Sequence, residues 1–149
     1  MGRRTKAREC AFQILYQWEI SREPIERVNG LFWQVRSGTA AMRAMAERLA
    51  TGAHGRVEEL DAAIAEAAAN WRLDRIAAVD RTILRLGAYE LAAETDTPAA
   101  VVLDEAVELA KRFGEADSPA FVNGVLDAIR RRLRGPSSAG RRAKGEKQA

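Results

Sequence analysis

The stretch from Leu73 to Glu94 constrains this chain most, because it is apolar along two lines at once. Ile76, Val79, Ile83 and Leu86 recur at helical spacing, and Leu84, Ala88 and Leu91 form a second line on another side. A helix with one apolar stripe lies on a core; a helix with two is contacted from both flanks. Other helices must therefore pack around this one. Residue usage agrees: hydrophobic residues make up 47% of the chain but aromatics only 6%, and alanine and leucine supply much of the rest, which favours helix over sheet. No strand pair and no fixed-period repeat is visible. The 149 residues suit one domain with a sizeable core.

The remaining elements follow from periodicity and punctuation. A first helix is predicted from about Arg4 to Ile20, with Ala7, Cys10, Ala11, Ile14, Leu15 and Trp18 on its inner face. Tyr16 lies roughly 180° from Ala7 on that helix, with Phe12 and Gln13 flanking it. Pro24 opens a second helix whose apolar line is Ile25, Val28, Phe32 and Val35. Ser37-Gly38-Thr39 is a stop followed by a cap. Beyond it, Met42, Met45, Ala46, Leu49 and Ala53, then Val57, Leu60, Ile64, Ala67 and Trp71, form either one bent helix or two. After Asp96-Thr97-Pro98 a helix buries Val102, Leu103, Ala106, Ala110 and Phe113, and Gly114 caps it. Ser118 as N-cap and Pro119 at the first helical position start the last helix, which carries Val122, Val125, Leu126, Ile129 and Leu133. Gly124, costly inside a helix, implies a close helix approach there. The folded unit is expected over 1–134. The basic stretch 135–149 has too little apolar surface to order itself.

Charge is unevenly placed. Residues 1–8 carry +4 and residues 130–149 carry +7, so the net +3 leaves −8 over 9–129. Basic ends on an acidic body suit a polyanion at one surface and a basic partner at another.

Catalytic chemistry is scarce. One histidine, His54, and one cysteine, Cys10, cannot build the usual zinc site or an internal disulfide, and the lone cysteine fits a reducing cytoplasm. There is no phosphate-binding glycine loop and no nucleophile elbow. Glu58-Glu59 and Asp104-Glu105 read as helix surface or caps. No cofactor, metal or catalytic residue is expected. No apolar run approaches the ~18–20 residues of a membrane helix. Gln13, Gln17 and Glu19 interrupt what a secretory signal would need. The chain is read as a cytoplasmic protein, not an enzyme.

Three features remain. Arg3-Arg4-Thr5-Lys6-Ala7-Arg8, with Gln13 and Tyr16 on the same helix, offers phosphate contacts, a base-edge reader and a stacking surface. A frayed basic start and a tyrosine packed on helix two explain the same residues without a ligand. Glu90 falls seven residues after Ile83, on an apolar line, and so needs a partner; Arg85 or Arg81 is nearest in sequence, and a buried structural ion pair of Glu90 with Arg85 is the reading preferred. Asp80 and Arg81, nearer the helix start, are read as facing outward. Phe113-Gly114 through Asp117-Ser118, Phe121 and Asn123 form a helix–loop–helix corner with two aromatics, either packing or a binding site.

Arg3 to Tyr16, Asp80 to Leu91, Asp104 to Lys111 with Phe113-Gly114, and Ser118 with Phe121 to Asp127 occur in an order and at spacings that resemble the NusB family of bacterial transcription antitermination factors. The resemblance spans about residues 3–130. It implies an all-α NusB-like fold of about seven helices in two packed helical subdomains. It implies binding to the boxA RNA of ribosomal RNA leaders, together with the ribosomal protein NusE, in an antitermination complex on RNA polymerase. It assigns RNA contact to Arg3, Arg4, Lys6, Arg8, Gln13 and Tyr16, and places Phe113, Gly114, Asp117, Ser118, Phe121 and Asn123 near the same surface. It puts Asp80 and Arg81 in the contact region for the protein partner. Asp104 stands where asparagine is common, Asp80 where a longer acid often stands, and the basic tail lies outside the shared pattern. Two other readings are an RNA-recognition domain of a ribosomal-RNA cytosine methyltransferase, which needs a further cofactor-binding domain, and a helical scaffold, possible as a homodimer, that binds protein only.

Overall fold

The computed structural model describes residues 2–135; the basic stretch from 136 onward lies outside the described residues. Within them are seven α-helices and one 3-10 turn, with no strand: α1 (Arg3–Ser21), α2 (Ile25–Val35), α3 (Ala40–Gly55), α4 (Val57–Ala67), the turn Leu73–Arg75, α5 (Ala78–Ala93), α6 (Ala99–Phe113) and α7 (Ser118–Arg134).

Local chemistry sets these boundaries. α1 ends at Arg22, which adopts the left-handed conformation at φ 57° and donates its N–H to the Trp18 carbonyl. The Thr39 hydroxyl accepts from the Met42 N–H at 3.1 Å and caps α3. The third periodic stretch is two helices, broken at Arg56. The long two-sided stretch begins as the short 3-10 turn and becomes a helix only at Ala78.

Two groups of helices result. α1, α2 and α3 pack together, α4, α6 and α7 surround α5, and α1 and α3 also lie against α5. Every α5 residue from Thr82 to Leu91 is buried, as its two apolar lines require. At Gly87 a Cβ would sit 2.7 Å from Leu126 Cδ1, so the missing side chain sets the approach of α7 to α5. At the other end, the Arg134 guanidinium donates to the carbonyls of Glu90, Leu91, Glu94 and Thr97 at 2.6–3.2 Å. These include the orphan carbonyls at the C-terminus of α5, so α7 locks onto α5 at both its middle and its end.

Three sequence expectations change. Val35, at the last position of α2, is 88% exposed, and Trp33 is buried instead, its indole N–H held by Asn29 at 3.1 Å. Gly124 faces open space; the close approach belongs to Gly87. Ser118 does not cap α7 forward, because its hydroxyl turns back to accept the Glu115 N–H at 2.9 Å.

Candidate nucleic-acid interface

α1 sorts its basic residues by direction. At 100° per residue, Arg3, Lys6, Cys10, Gln13 and Gln17 share an arc of about 80°, Tyr16 lies about 60° beyond it, and Arg8 points elsewhere. Arg8 is only 3% exposed, and its Nε donates to both Glu90 oxygens at 2.9 and 3.1 Å. Glu90 does carry a buried ion pair, but its partner is Arg8, across the α1–α5 contact, and not Arg85 or Arg81. Burial pushes the Glu90 carboxyl up, the charge and hydrogen bond of Arg8 oppose this, and Glu94 and Glu105 add to the rise. Arg8 therefore works as an internal fastener.

The outward residues of α1 are differently placed. Arg3, Arg4 and Lys6 are exposed in and near a first turn that holds no acid, and Gly2 provides no side-chain cap. Cations at the positive end of a helix are unfavourable by ~0.3–1 kcal/mol each, and a bound anion relieves them. Arg4 turns toward a groove it shares with Arg48, Glu94 and Asp96. Arg3 and Lys6 turn the other way, into a groove of about 420 Å³ whose far wall is Arg36 and Ser37-Gly38-Thr39. Burial pushes the Cys10 thiol at its floor up, and Arg36 and Lys6 pull it back.

Next to it lies an aromatic cleft of about 430 Å³, lined by Phe12, Gln13, Tyr16, Phe32, Arg36 and Phe113 among others. Phe12 stacks on Tyr16 with ring centroids 6.1 Å apart and tilts against Phe113 at 5.1 Å. The start of the chain and the α6–α7 corner are thus one surface, joined through Phe12. Arg36, which sequence reasoning did not single out, donates to Gln13 Oε1 and sits over the Phe32 ring at 5.5 Å.

The corner is tightly built. A Cβ on Gly114 would fall 2.6 Å from Ser118 Oγ and 2.9 Å from the Ala110 carbonyl, so only glycine fits. Ser118 is 1% exposed and serves the loop from within. Asp117 and Asn123 are exposed, and Phe121 is half-buried against the exposed ring of Trp71 at 6.1 Å.

Asp80 lies beneath this corner rather than on an open face. Its Oδ1 is buried with no partner among the described residues. Burial pushes its carboxyl up, a hydrogen bond from Ser118 pulls it down, and Asp117 and Glu115 push it up again. Arg81 is also turned inward: it donates to the Ile76 carbonyl at 2.7 Å, the Leu73 carbonyl at 3.2 Å and Glu19 Oε1 at 2.7 Å. Arg85 bridges Glu19 at 2.6 Å and Asp61 at 2.7 and 2.9 Å. Burial alone would raise the Glu19 carboxyl, yet the hydrogen bonds of Arg85 and Arg81 hold it below the usual range.

Among the described residues no group of three or more His, Cys, Asp or Glu is gathered to hold a metal ion, and no helix is long and apolar enough to cross a membrane. The pattern described as the NusB family matches residues 5–131. The transcription antitermination protein NusB of Sorangium cellulosum is 47% identical over 133 residues, which cover 89% of this chain and 95% of that protein. Among solved structures, T. maritima NusB superposes with a TM-score of 0.80 at 34% identity, covering 91% of this chain and 94% of that one. A structure of antitermination factors NusB and NusE in complex with double-stranded RNA matches with a TM-score of 0.82 at 29% identity, over 89% of this chain and 98% of that one.

Proposed function

The chain belongs to the NusB family, and from that membership we propose that it is a transcription antitermination factor that binds boxA RNA of ribosomal RNA leaders with the ribosomal protein NusE, in the complex on RNA polymerase. The observation that carries the RNA half is the continuous surface of cations and aromatics that joins the start of α1 to the α6–α7 corner. Arg3 and Lys6 neutralise phosphates on it, and Arg4 adds a cation on the other side of the helix start. Tyr16, Phe113 and Phe121 offer ring faces to unpaired bases, and Gln13 and Asn123 offer amides to base edges. Arg8, Gly114 and Ser118 support that surface from inside. Asp117 sits at its rim, where it disfavours a misplaced phosphate.

The protein half rests on the acidic body. NusE docks on the α5 side, where Arg81 fixes the start of α5 against the turn and α1, and Asp80 meets Ser118 of α7. Their contribution is to hold that surface in shape. Binding alone accounts for the activity, and the setting is the cytoplasm. The Sorangium relative is matched over 95% of its length, which favours a free-standing factor over a recognition domain within a methyltransferase.

A titration of labelled boxA RNA against the protein, with and without NusE, tests this. Affinity is expected to fall with salt at a log–log slope of roughly 0.7 per phosphate neutralised, and to rise when NusE is present. Equal, weak binding to boxA and to a scrambled RNA, unchanged by NusE, overturns it.

A further inference from the structure

Most arginines of the described residues are spent on carboxylates. Arg22, Arg27, Arg43, Arg48, Arg56, Arg72, Arg81, Arg85, Arg130 and Arg132 each lie within ion-pair distance of one. Arg36 is different. It is exposed, its hydrogen-bond partner is the neutral amide of Gln13, and its guanidinium rests on Phe32. Arg3 and Lys6, the other cations on the same groove, likewise make no ion pair among the described residues. No carboxylate lines that groove. Three cations without counter-charges face one concave space, which is the electrostatic footprint of an anion site.

Arg36 also occupies a shared wall. It lines both the basic groove and the aromatic cleft. A strand with a base in the cleft and its backbone leaving toward α3 must pass over Arg36. We propose that single-stranded RNA takes this route, and that Arg36, with Arg3 and Lys6, seats a backbone phosphate in the groove between α1 and the α2–α3 connection. This rests on the RNA reading above and adds a direction to it: the strand runs from the α6–α7 corner, across the cleft between Tyr16 and Phe32, to the start of α3. Stacking on Phe32 and the contact to Gln13 hold the guanidinium in place before RNA arrives, so little side-chain entropy remains to be lost on binding.

The experiment is fluorescence anisotropy with a labelled single-stranded boxA RNA across a salt series. The proteins are the wild type, Arg36→Ala, Arg36→Lys, Lys6→Ala and, as a control, Arg27→Ala, an exposed arginine of α2 paired with Glu23. Arg36→Ala is expected to weaken binding several-fold and to lower the magnitude of the log–log salt slope by about 0.7, one phosphate fewer. Arg36→Lys is expected to keep the slope, and Arg27→Ala to match the wild type. Thermal midpoints of all variants should agree, since none of these side chains is buried. If Arg36→Ala keeps wild-type affinity and slope while Lys6→Ala weakens binding, the phosphate seat is refuted and the RNA reading stands. If Arg36→Ala loses affinity with an unchanged slope, Arg36 only positions Gln13 and the seat is again refuted. If the wild type itself shows no salt-dependent binding, the RNA reading fails first.

Discussion

The layer between α1 and α5 and the groove between α1 and the α2–α3 connection are built from the same kinds of residue and have opposite characters. In the inner layer Arg8 meets Glu90, and Arg85 and Arg81 share Glu19, with side chains only 3–14% exposed. In the outer groove Arg3, Lys6 and Arg36 face water and one another with no acid between them. Removing an inner charge strands its partner in a low-dielectric interior. Removing an outer charge relieves repulsion and costs the fold almost nothing. The contrast assigns structure to the first set and ligand binding to the second, although Arg3, Lys6 and Arg8 lie within one short run of sequence.

The hardest test of that division is Glu90→Ala. It leaves Arg8 buried with only Glu105, at 3.8 Å, for a counter-charge, and chemical denaturation should record a loss of about 3 kcal/mol. An unchanged midpoint would put Arg8 back among the surface residues. Tyr16→Ala tests the outer side. Loss of its ring from the cleft should weaken boxA binding by about 1–3 kcal/mol in a titration, with a much smaller change in unfolding. A comparable fall in both would make the aromatic cleft part of the core.

A pH series sharpens the inner side. Glu19 has a folded-state pKa below its unfolded value, so the unfolded chain binds more protons in that window. The stability it contributes is present above the ordinary carboxylate range and is lost as pH falls through the folded pKa. Glu19→Gln should therefore be less stable than wild type near neutrality, and its stability should fall less steeply in acid. Parallel curves would remove Glu19 from the account. The smallest effect is expected at Asp80→Asn. Its carboxyl is raised, so the cost of ionising it grows as pH rises through the folded pKa. The variant should gain about 1 kcal/mol at neutral pH and nothing in acid. A loss at neutral pH would mean that the buried Oδ1 has a partner worth keeping.

Much of the fold was legible because helical periodicity repeats within each element. The two apolar lines of α5 announced a central helix, Thr39 announced a cap, and Pro24 and Pro98 marked starts. Val35 was misplaced because periodicity names a direction and not whether a neighbour reaches that far. Gly124 was misread because glycine's cost in a helix is the same whether or not another helix lies close. The α1 and corner residues were legible as types, but their joining through Phe12 and Phe113 spans two distant parts of the chain.

The sequence by itself determined an all-helical chain, the basic start of α1, the aromatic corner and the absence of the usual metal and nucleophile patterns, since each is a property of local spacing or residue count. Only the tertiary structure decided which arginine is which. It turned Arg8 inward to Glu90, drew Arg81 and Ser118 into the frame, and brought Arg36 across to Gln13 and the groove of Arg3 and Lys6. Charges act through space, and the partners that fix their roles lie on other helices.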